Sequence, residues 1–301
     1  MNILFVDNFP EVIINRIENM GHKVFDCSLK PEICDKYLED AEVIITKNRT
    51  NIDREIIDKA LKLRMIINGG VSIDNIDIDY AHNKGIHVMH TPEAPMISVA
   101  EFVFGLLLSA ARKIYDANLS MKNGKWDKEL YYGNELYGKT IGVVGFGRIG
   151  REVARRAIAF GMKIVACDKF LSESPMPGVP IVELDNLLKV SDFITLHASF
   201  DARKDKTLIT EREFSLMKDN VLIINCAQGG IIDENALLLA LNSKKVSFAA
   251  LDVYSIEPPK NEKLIKHPNT ICTPHIAAQT LEAELRMGDQ IITILKGLGQ
   301  K

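Results

Sequence analysis

No stretch of this chain is apolar for long enough to cross a membrane: the longest apolar run, Phe102 to Ala111, is about half of the ~20 residues a span needs. Cysteine is scarce. The five (Cys27, Cys34, Cys167, Cys226, Cys272) are odd in number, form no CxxC pair and lie at no metal-ligand spacing from a histidine. That excludes a disulfide scaffold and a zinc ribbon. Several sit in apolar runs such as Ile164-Val165-Ala166-Cys167, where cysteine acts as a small hydrophobe, so buried, reduced thiols are expected, and with them a cytoplasmic protein. Charge of one sign is lacking as well. With 37 Lys+Arg against 40 Asp+Glu the net charge is −3, so the chain is not built to coat nucleic acid or an anionic membrane. Met1-Asn2-Ile3-Leu4-Phe5-Val6 has neither a basic n-region nor a small-residue cleavage site, so no leader is expected. Low-complexity linkers, short repeats and a metal site are absent from the pattern.

What is present is apolar material for two cores: 301 residues, 47% hydrophobic, at roughly 150 residues per domain. Short β-branched runs recur, each followed by a stretch with helical spacing. Ile3 to Val6, Val43 to Ile45, Met65 to Ile67, Ile141 to Val144, Phe193 to Leu196, Val221 to Ile224 and Phe248 to Leu251 are apolar on both faces, which suits a parallel sheet covered by helices. Gly21, Gly85 and Gly161 each close a helical stretch two residues before the next strand, a position that favours the left-handed conformation. The expected class is α/β with two doubly wound parallel sheets. Prolines punctuate the pattern at Thr91-Pro92-Glu93-Ala94-Pro95, before an apolar helix expected over Ile97 to Ile114, and again from His267-Pro268 to Thr273-Pro274. The chain is therefore expected to build one domain from residues 1–94 and 277–301 and to insert a second, residues 95–276, between them.

Gly145-Phe146-Gly147-Arg148-Ile149-Gly150 follows a strand and opens a helix. The first glycine permits the tight turn and the second lets the backbone approach a pyrophosphate. The third lets helix and strand pack closely, and the helix N-terminus faces the phosphates. Asp168, 18 residues beyond Gly150, ends the next strand. A carboxylate there accepts the ribose hydroxyls and repels a 2′-phosphate, which favours NAD over NADP. His275, in Thr273-Pro274-His275-Ile276-Ala277, suits proton exchange with a substrate hydroxyl near neutral pH, with a carboxylate such as Glu257 as its partner. Read alone, both residues are equally compatible with a structural role.

Taken together, TIGVVGFGRIGREVARRAIAFGMKIVACD, INCAQGGIIDENAL, ALDVYSIEPP and TPHIAAQT resemble the NAD-dependent D-2-hydroxyacid dehydrogenases. VSIDNIDI, SVAEFVFGLLLSAARKI and MKNGKW are most similar to the phosphoglycerate dehydrogenase branch. The resemblance runs from about Ile44 to about Thr280. It implies a coenzyme domain inserted into a discontinuous substrate domain, with His275 as acid/base and Glu257 as its partner. It implies NAD contacts from Gly145, Gly147, Arg148, Ile149, Gly150, Asp168, Ala198, Cys226, Ala227, Asp252 and Ala277. Substrate contacts are implied at Lys47, Asn68, Gly70 and Val71, and a homodimer formed through the helix near Ile97 to Ile114. The substrate implied is a small D-2-hydroxy or 2-oxo acid, D-3-phosphoglycerate among them. Some 20 residues follow the start of the final helix, so the regulatory domain of that branch is not expected.

The chain departs from the family at a point that bears on chemistry. The INxARGG motif places a catalytic arginine where this chain has Gln228. Glutamine offers neutral N–H donors without a charge or a fork, and exchanging a charged hydrogen bond for a neutral one costs about 1 kcal/mol or more. Asn68 stands where the branch has an arginine before its glycine loop, and His90 where it has an asparagine. Lys47, Arg49 and Lys128 are the remaining candidate cations for a carboxylate or phosphate. Two functions are open on this reading: an NAD-dependent oxidoreductase, favoured by the retained His275 and Glu257, and an NAD-binding sensor or interaction protein with little catalysis, favoured by Gln228.

Overall fold

The computed structural model describes residues 1–28, 34–47, 49–200 and 205–298. The chain divides into two compact units, one formed by Met1–Met96 with Gln279–Lys301 and the other by Ile97–Ala278.

The first unit holds β1 (Asn2–Phe5), β2 (Lys23–Asp26), β3 (Val43–Thr46), β4 (Met65–Asn68) and β5 (His87–His90), in the order β2-β1-β3-β4-β5 with every pairing parallel. Alternation along each strand sorts its side chains to opposite faces. Ile3 and Phe5 pack with Ile13 and Ile17 of the helix Glu11–Glu18 and with Met287, Ile291 and Leu295 of the helix Leu281–Leu298. Leu4 points the other way, onto a core with Leu38, Ile57 and Ala81 from the helices of that face. Two of those helices start on aspartates. Asp53 accepts the Ile56 N–H, and Asp77 accepts the Tyr80 N–H, each satisfying an otherwise orphaned donor.

The second unit holds β6 (Thr140–Val144), β7 (Lys163–Cys167), β8 (Phe193–Leu196), β9 (Val221–Asn225), β10 (Val246–Leu251) and β11 (Thr270–Cys272), in the order β11-β10-β9-β8-β6-β7, again with every pairing parallel. Ile141 and Val143 face the helices Met96–Ala111 and Arg148–Ala159, while Val144 and Ile194 face Leu187, Phe214 and Leu237 on the opposite side. Both units are thus doubly wound sheets covered on two faces.

Gly21, Gly85 and Gly161 take positive φ, at +84°, +77° and +67°, as expected for helix ends. The long apolar helix, by contrast, is shorter than expected. It runs Met96–Ala111 and breaks at Lys113, whose left-handed φ of +53° starts a separate helix, Ile114–Lys122. The cysteines also differ from expectation. All five are free thiols, but only Cys27 and Cys226 are buried; Cys34, Cys167 and Cys272 are partly accessible. No described helix is long and apolar enough to cross a membrane.

Each sheet has one point where the chain reverses its direction of travel, between β1 and β3 in the first unit and between β6 and β8 in the second. Crevices outside the carboxyl ends of strands at such points are where open α/β sheets bind ligands.

Candidate active site

At the switch point of the second unit, Gly145 takes φ +91°, and a Cβ built on it would collide with the backbone of His197 and Ala198. The turn after β6 is therefore pressed against the loop after β8. A Cβ on Gly150 would strike the Gly145 carbonyl, so helix Arg148–Ala159 packs close beneath the turn. Gly147 is different: a Cβ there meets nothing within 4 Å. It is the N-cap, with no side chain capping the helix. An open groove beside an uncapped helix N-terminus fits a pyrophosphate, which would accept the first-turn N–H groups. Arg148 is exposed and Ile149 half-buried. Asp168, at the end of β7, accepts the Phe146 N–H (2.8 Å) on one oxygen and the Phe170 N–H (2.9 Å) on the other. The carboxylate is thereby fixed beside the turn, with lone pairs left for two ribose hydroxyls. The residues present fit a dinucleotide.

The loops after β9, β10 and β11 lie side by side at the same end of the sheet, because those strands are neighbours. His275 Nδ1 lies 2.9 Å from Glu257 Oε2, with side-chain exposures of 51% and 39%. The other oxygen of Glu257 accepts the Tyr254 N–H at 3.2 Å. His275 itself is left-handed, at φ +53°, a conformation that costs a non-glycine residue about 1–2 kcal/mol. Asp252 holds it there. Its carbonyl accepts the His275 N–H, and its carboxylate accepts the Thr273 hydroxyl (2.6 Å) and the Ile276 and Ala277 N–H groups (2.9 Å each). The Asp252 side chain, expected among the cofactor contacts, is fully buried and occupied by this turn. Tyr254 donates its hydroxyl to the carbonyls of Thr273 and Leu251, and burial, with Cys272 beside it, pushes its phenol well up, keeping it a neutral donor.

Gln228 follows β9 and is half-buried. Asn225 shapes its loop, donating to the Gln228 carbonyl (3.0 Å) and accepting the Ala227 N–H (3.1 Å). The next residue, Gly229, lies so close to the Tyr254 carbonyl that no side chain fits. Loop 225–230 is thereby locked to the loop that carries Glu257. Among the described residues the Gln228 side chain has no hydrogen-bond partner, so its amide is available to a ligand. Cys226 and Ala277 are buried, and Ala198 and Ala227 half-buried, which leaves backbone as their means of contact. Burial, with Asp252 adding to it, drives the Cys226 thiol well up and makes it inert.

The expected substrate residues lie at the carboxyl ends of the first unit's strands. Lys47 Nζ lies 2.9 Å from both oxygens of Glu284 and 4.6 Å from the centre of the Phe9 ring. Gly70 is half-buried and Val71 exposed. Asn68, also expected to contact substrate, lies at the end of β4. It has no accessible surface, and its amide donates to the Lys47 carbonyl (3.3 Å) and to Asn75 (3.2 Å), so it braces the loops from within. Lys128 is an exposed residue of a short 3-10 turn, 3.9 Å from Glu129, and the structure builds no site around it.

Three groups went unsingled in the sequence. Asp7, after β1, is buried and accepts the hydroxyls of Thr46 and Thr50 and the N–H groups of Lys47 and Thr50. Burial acts to raise its carboxyl, but those four donors outweigh it and hold it below the usual range. Its position just past a strand beside a switch point was the available signal. Glu284 and His197 had none, since their partners are set by tertiary contact.

A sequence model described as "D-isomer specific 2-hydroxyacid dehydrogenase, NAD binding domain" matches residues 104–277, more than half of the chain. The chain belongs to the D-isomer-specific 2-hydroxyacid dehydrogenases. It is 44% identical to the hydroxypyruvate reductase of Thermotoga maritima over 88% of this chain and 87% of that one. It is 42% identical to the D-3-phosphoglycerate dehydrogenase of Methanocaldococcus jannaschii over 99% of its own residues, while spanning 58% of that relative's length. Among solved structures, D-lactate dehydrogenase from Aquifex aeolicus complexed with NAD and lactic acid superposes with a TM-score of 0.85 at 29% identity, covering 100% of this chain and 96% of that one. The fold and the NAD-binding domain are thus shared with these proteins.

Proposed function

We propose that this dehydrogenase interconverts a small D-2-hydroxy acid and its 2-oxo acid, with His275 as the acid/base. The observation that carries the reading is the 2.9 Å contact between His275 Nδ1 and Glu257 on a half-exposed, left-handed turn held by buried Asp252. A purely structural histidine has no need of a strained backbone and a carboxylate at the surface.

The dinucleotide, when bound, supplies a hydride acceptor or donor. The chain's own residues do the rest. Glu257 accepts the Nδ1 proton, which fixes the tautomer and leaves Nε2 to take the substrate's hydroxyl proton in oxidation, or to return it in reduction. The imidazolium formed in oxidation is matched by the Glu257 charge. Gln228 donates an amide N–H to the substrate as a neutral dipole. The open groove at Gly147 and the helix N-terminus hold the pyrophosphate, and Asp168 holds the ribose.

Steady-state assays with NADH and glyoxylate, pyruvate, hydroxypyruvate and 3-phosphohydroxypyruvate test the reading. The native protein turns over at least one, and His275→Ala loses about 10²–10⁴-fold in kcat while its NADH affinity, read by fluorescence titration, holds. Full turnover in His275→Ala removes histidine from the mechanism. Tight NADH binding with no acid reduced favours the sensor reading that Gln228 supports. We also infer a homodimer formed through the coenzyme unit. Its helix Ile114–Lys122 and the following segment expose Ile114, Tyr115, Met121, Trp126 and Leu130, apolar surface suited to a second copy. Sedimentation of the intact protein checks that stoichiometry.

A further inference from the structure

The loops at the switch point of the first unit are held around Lys47 by three side chains. Asp7 holds the Lys47 N–H at 2.6 Å, and Asn68 and Asn75 donate to the Lys47 carbonyl at 3.3 and 2.8 Å. With its backbone fixed on both sides, Lys47 projects its ammonium between the Phe9 ring and Glu284, where both carboxylate oxygens lie at 2.9 Å. Both partners are about one-quarter to one-third exposed, at 25% and 30%, so the pair is shielded yet reachable. The ammonium that would otherwise meet an anionic ligand at this rim is answered within the chain.

Asn68, at the end of β4 beside Lys47, is buried and carries no charge. Of the cations in the loops after β1, β3 and β4, Arg49 is the one without an ion-pair partner among the described residues. One uncommitted cation matches one carboxylate. A phosphorylated acid brings a further charge of about −1.5 to −2, and among the described residues of these loops no second cation lacks an ion-pair partner.

Resting on the dehydrogenase reading above, we propose that Glu284 sets the charge of the acid this chain accepts. By holding Lys47 it admits a 2-oxo acid with a single carboxylate and an uncharged remainder, and it rejects the phosphorylated counterpart. The phosphate oxygens must either displace Glu284 from Lys47 or lie beside its carboxylate, and both are unfavourable.

The test compares hydroxypyruvate with 3-phosphohydroxypyruvate, which differ by the phosphoryl group alone, in the native protein and in Glu284→Gln. The native protein prefers the unphosphorylated acid by at least about tenfold in kcat/KM. Glu284→Gln keeps the shape, frees the ammonium and moves the ratio of the two KM values toward the phosphorylated acid by about 10–100-fold, the range of a charged hydrogen bond. Adding Lys47→Met to Glu284→Gln removes that gain, a result that a merely structural ion pair does not produce. Calorimetric binding of D-glycerate and D-3-phosphoglycerate to the NAD-loaded protein reads the same preference without turnover. If no acid is reduced but D-glycerate binds in preference, the dehydrogenase reading fails and the charge assignment stands. A native protein that takes both acids equally, or a KM ratio and a binding ratio that Glu284→Gln leaves unmoved, overturns the proposal.

Discussion

His197 carries a pH dependence whose size follows from its surroundings. It follows β8 and lies against the dinucleotide turn: its N–H donates to the Val144 carbonyl at 2.6 Å, and its backbone abuts Gly145. Nε2 contacts the Thr195 hydroxyl at 2.8 Å, while Nδ1 has neither solvent nor a partner among the described residues. Burial pushes the imidazole from 6.5 down to about 3. The unfolded chain therefore takes up a proton here as pH falls through 6.5, whereas the folded chain refuses it until about pH 3. Stability from this group is complete above pH 6.5 and is lost progressively as pH falls through that window, at about 1.4 kcal/mol per unit, so roughly 2 kcal/mol is gone by pH 5. Urea unfolding at pH 7 and pH 5, on the native protein and on His197→Gln, measures it. Groups that titrate in both proteins cancel in the comparison. The native protein should lose about 2 kcal/mol more than the variant between the two pH values. Equal losses would refute the reasoning, since they would mean that the folded ring accepts its proton as readily as the unfolded one.

The glycines of the turn separate fold from function. Gly147→Ala should leave the urea midpoint nearly unchanged, because φ is −73° and its Cβ meets nothing, yet weaken NADH binding by about tenfold or more as the methyl occupies the pyrophosphate's path. Gly145→Ala should instead destabilise by at least about 1–2 kcal/mol, from its left-handed φ alone. Both are read by urea titration and NADH fluorescence, and similar unfolding midpoints in the two variants would count against the assigned geometry. Asp168→Ala should narrow the preference for NADH over NADPH, measured as the ratio of kcat/KM values; an unchanged ratio removes Asp168 from cofactor choice.

The elements that the sequence announced are those whose signals are local. Val221 to Ile224 is apolar on both faces because both faces are covered, and Gly145 to Gly150 carries its spacing because the turn itself demands it. The pairing of His275 with Glu257 required the resemblance, since 18 residues and a strand separate them and only the adjacency of β10 and β11 brings them together. The break at Lys113 was illegible because a lysine can occupy the left-handed region when its neighbours demand it, and no glycine marks the spot. Asn68 was implied as a ligand contact by the resemblance alone. Its orientation is decided by Asn75 and the Lys47 carbonyl, neither of which periodicity reveals. Glu284 is one of several acidic residues on an amphipathic helix until that helix docks beside β3 and Lys47 meets it.

The closure of the first unit by Leu281–Leu298 dictates an order of events during synthesis. Ile3, Phe5, Ile13 and Ile17 leave the ribosome early, but Met287, Ile291 and Leu295, which cover them, are made only after the whole of Ile97–Ala278. At ~5–20 residues per second that interval is on the order of 10–40 s, far longer than a small domain needs to fold. The inserted unit, contiguous in the chain, can complete its own core in that time. The N-terminal sheet must wait with one face covered only by Glu11–Glu18, so nascent chains are most open to chaperones and to mispairing during that interval.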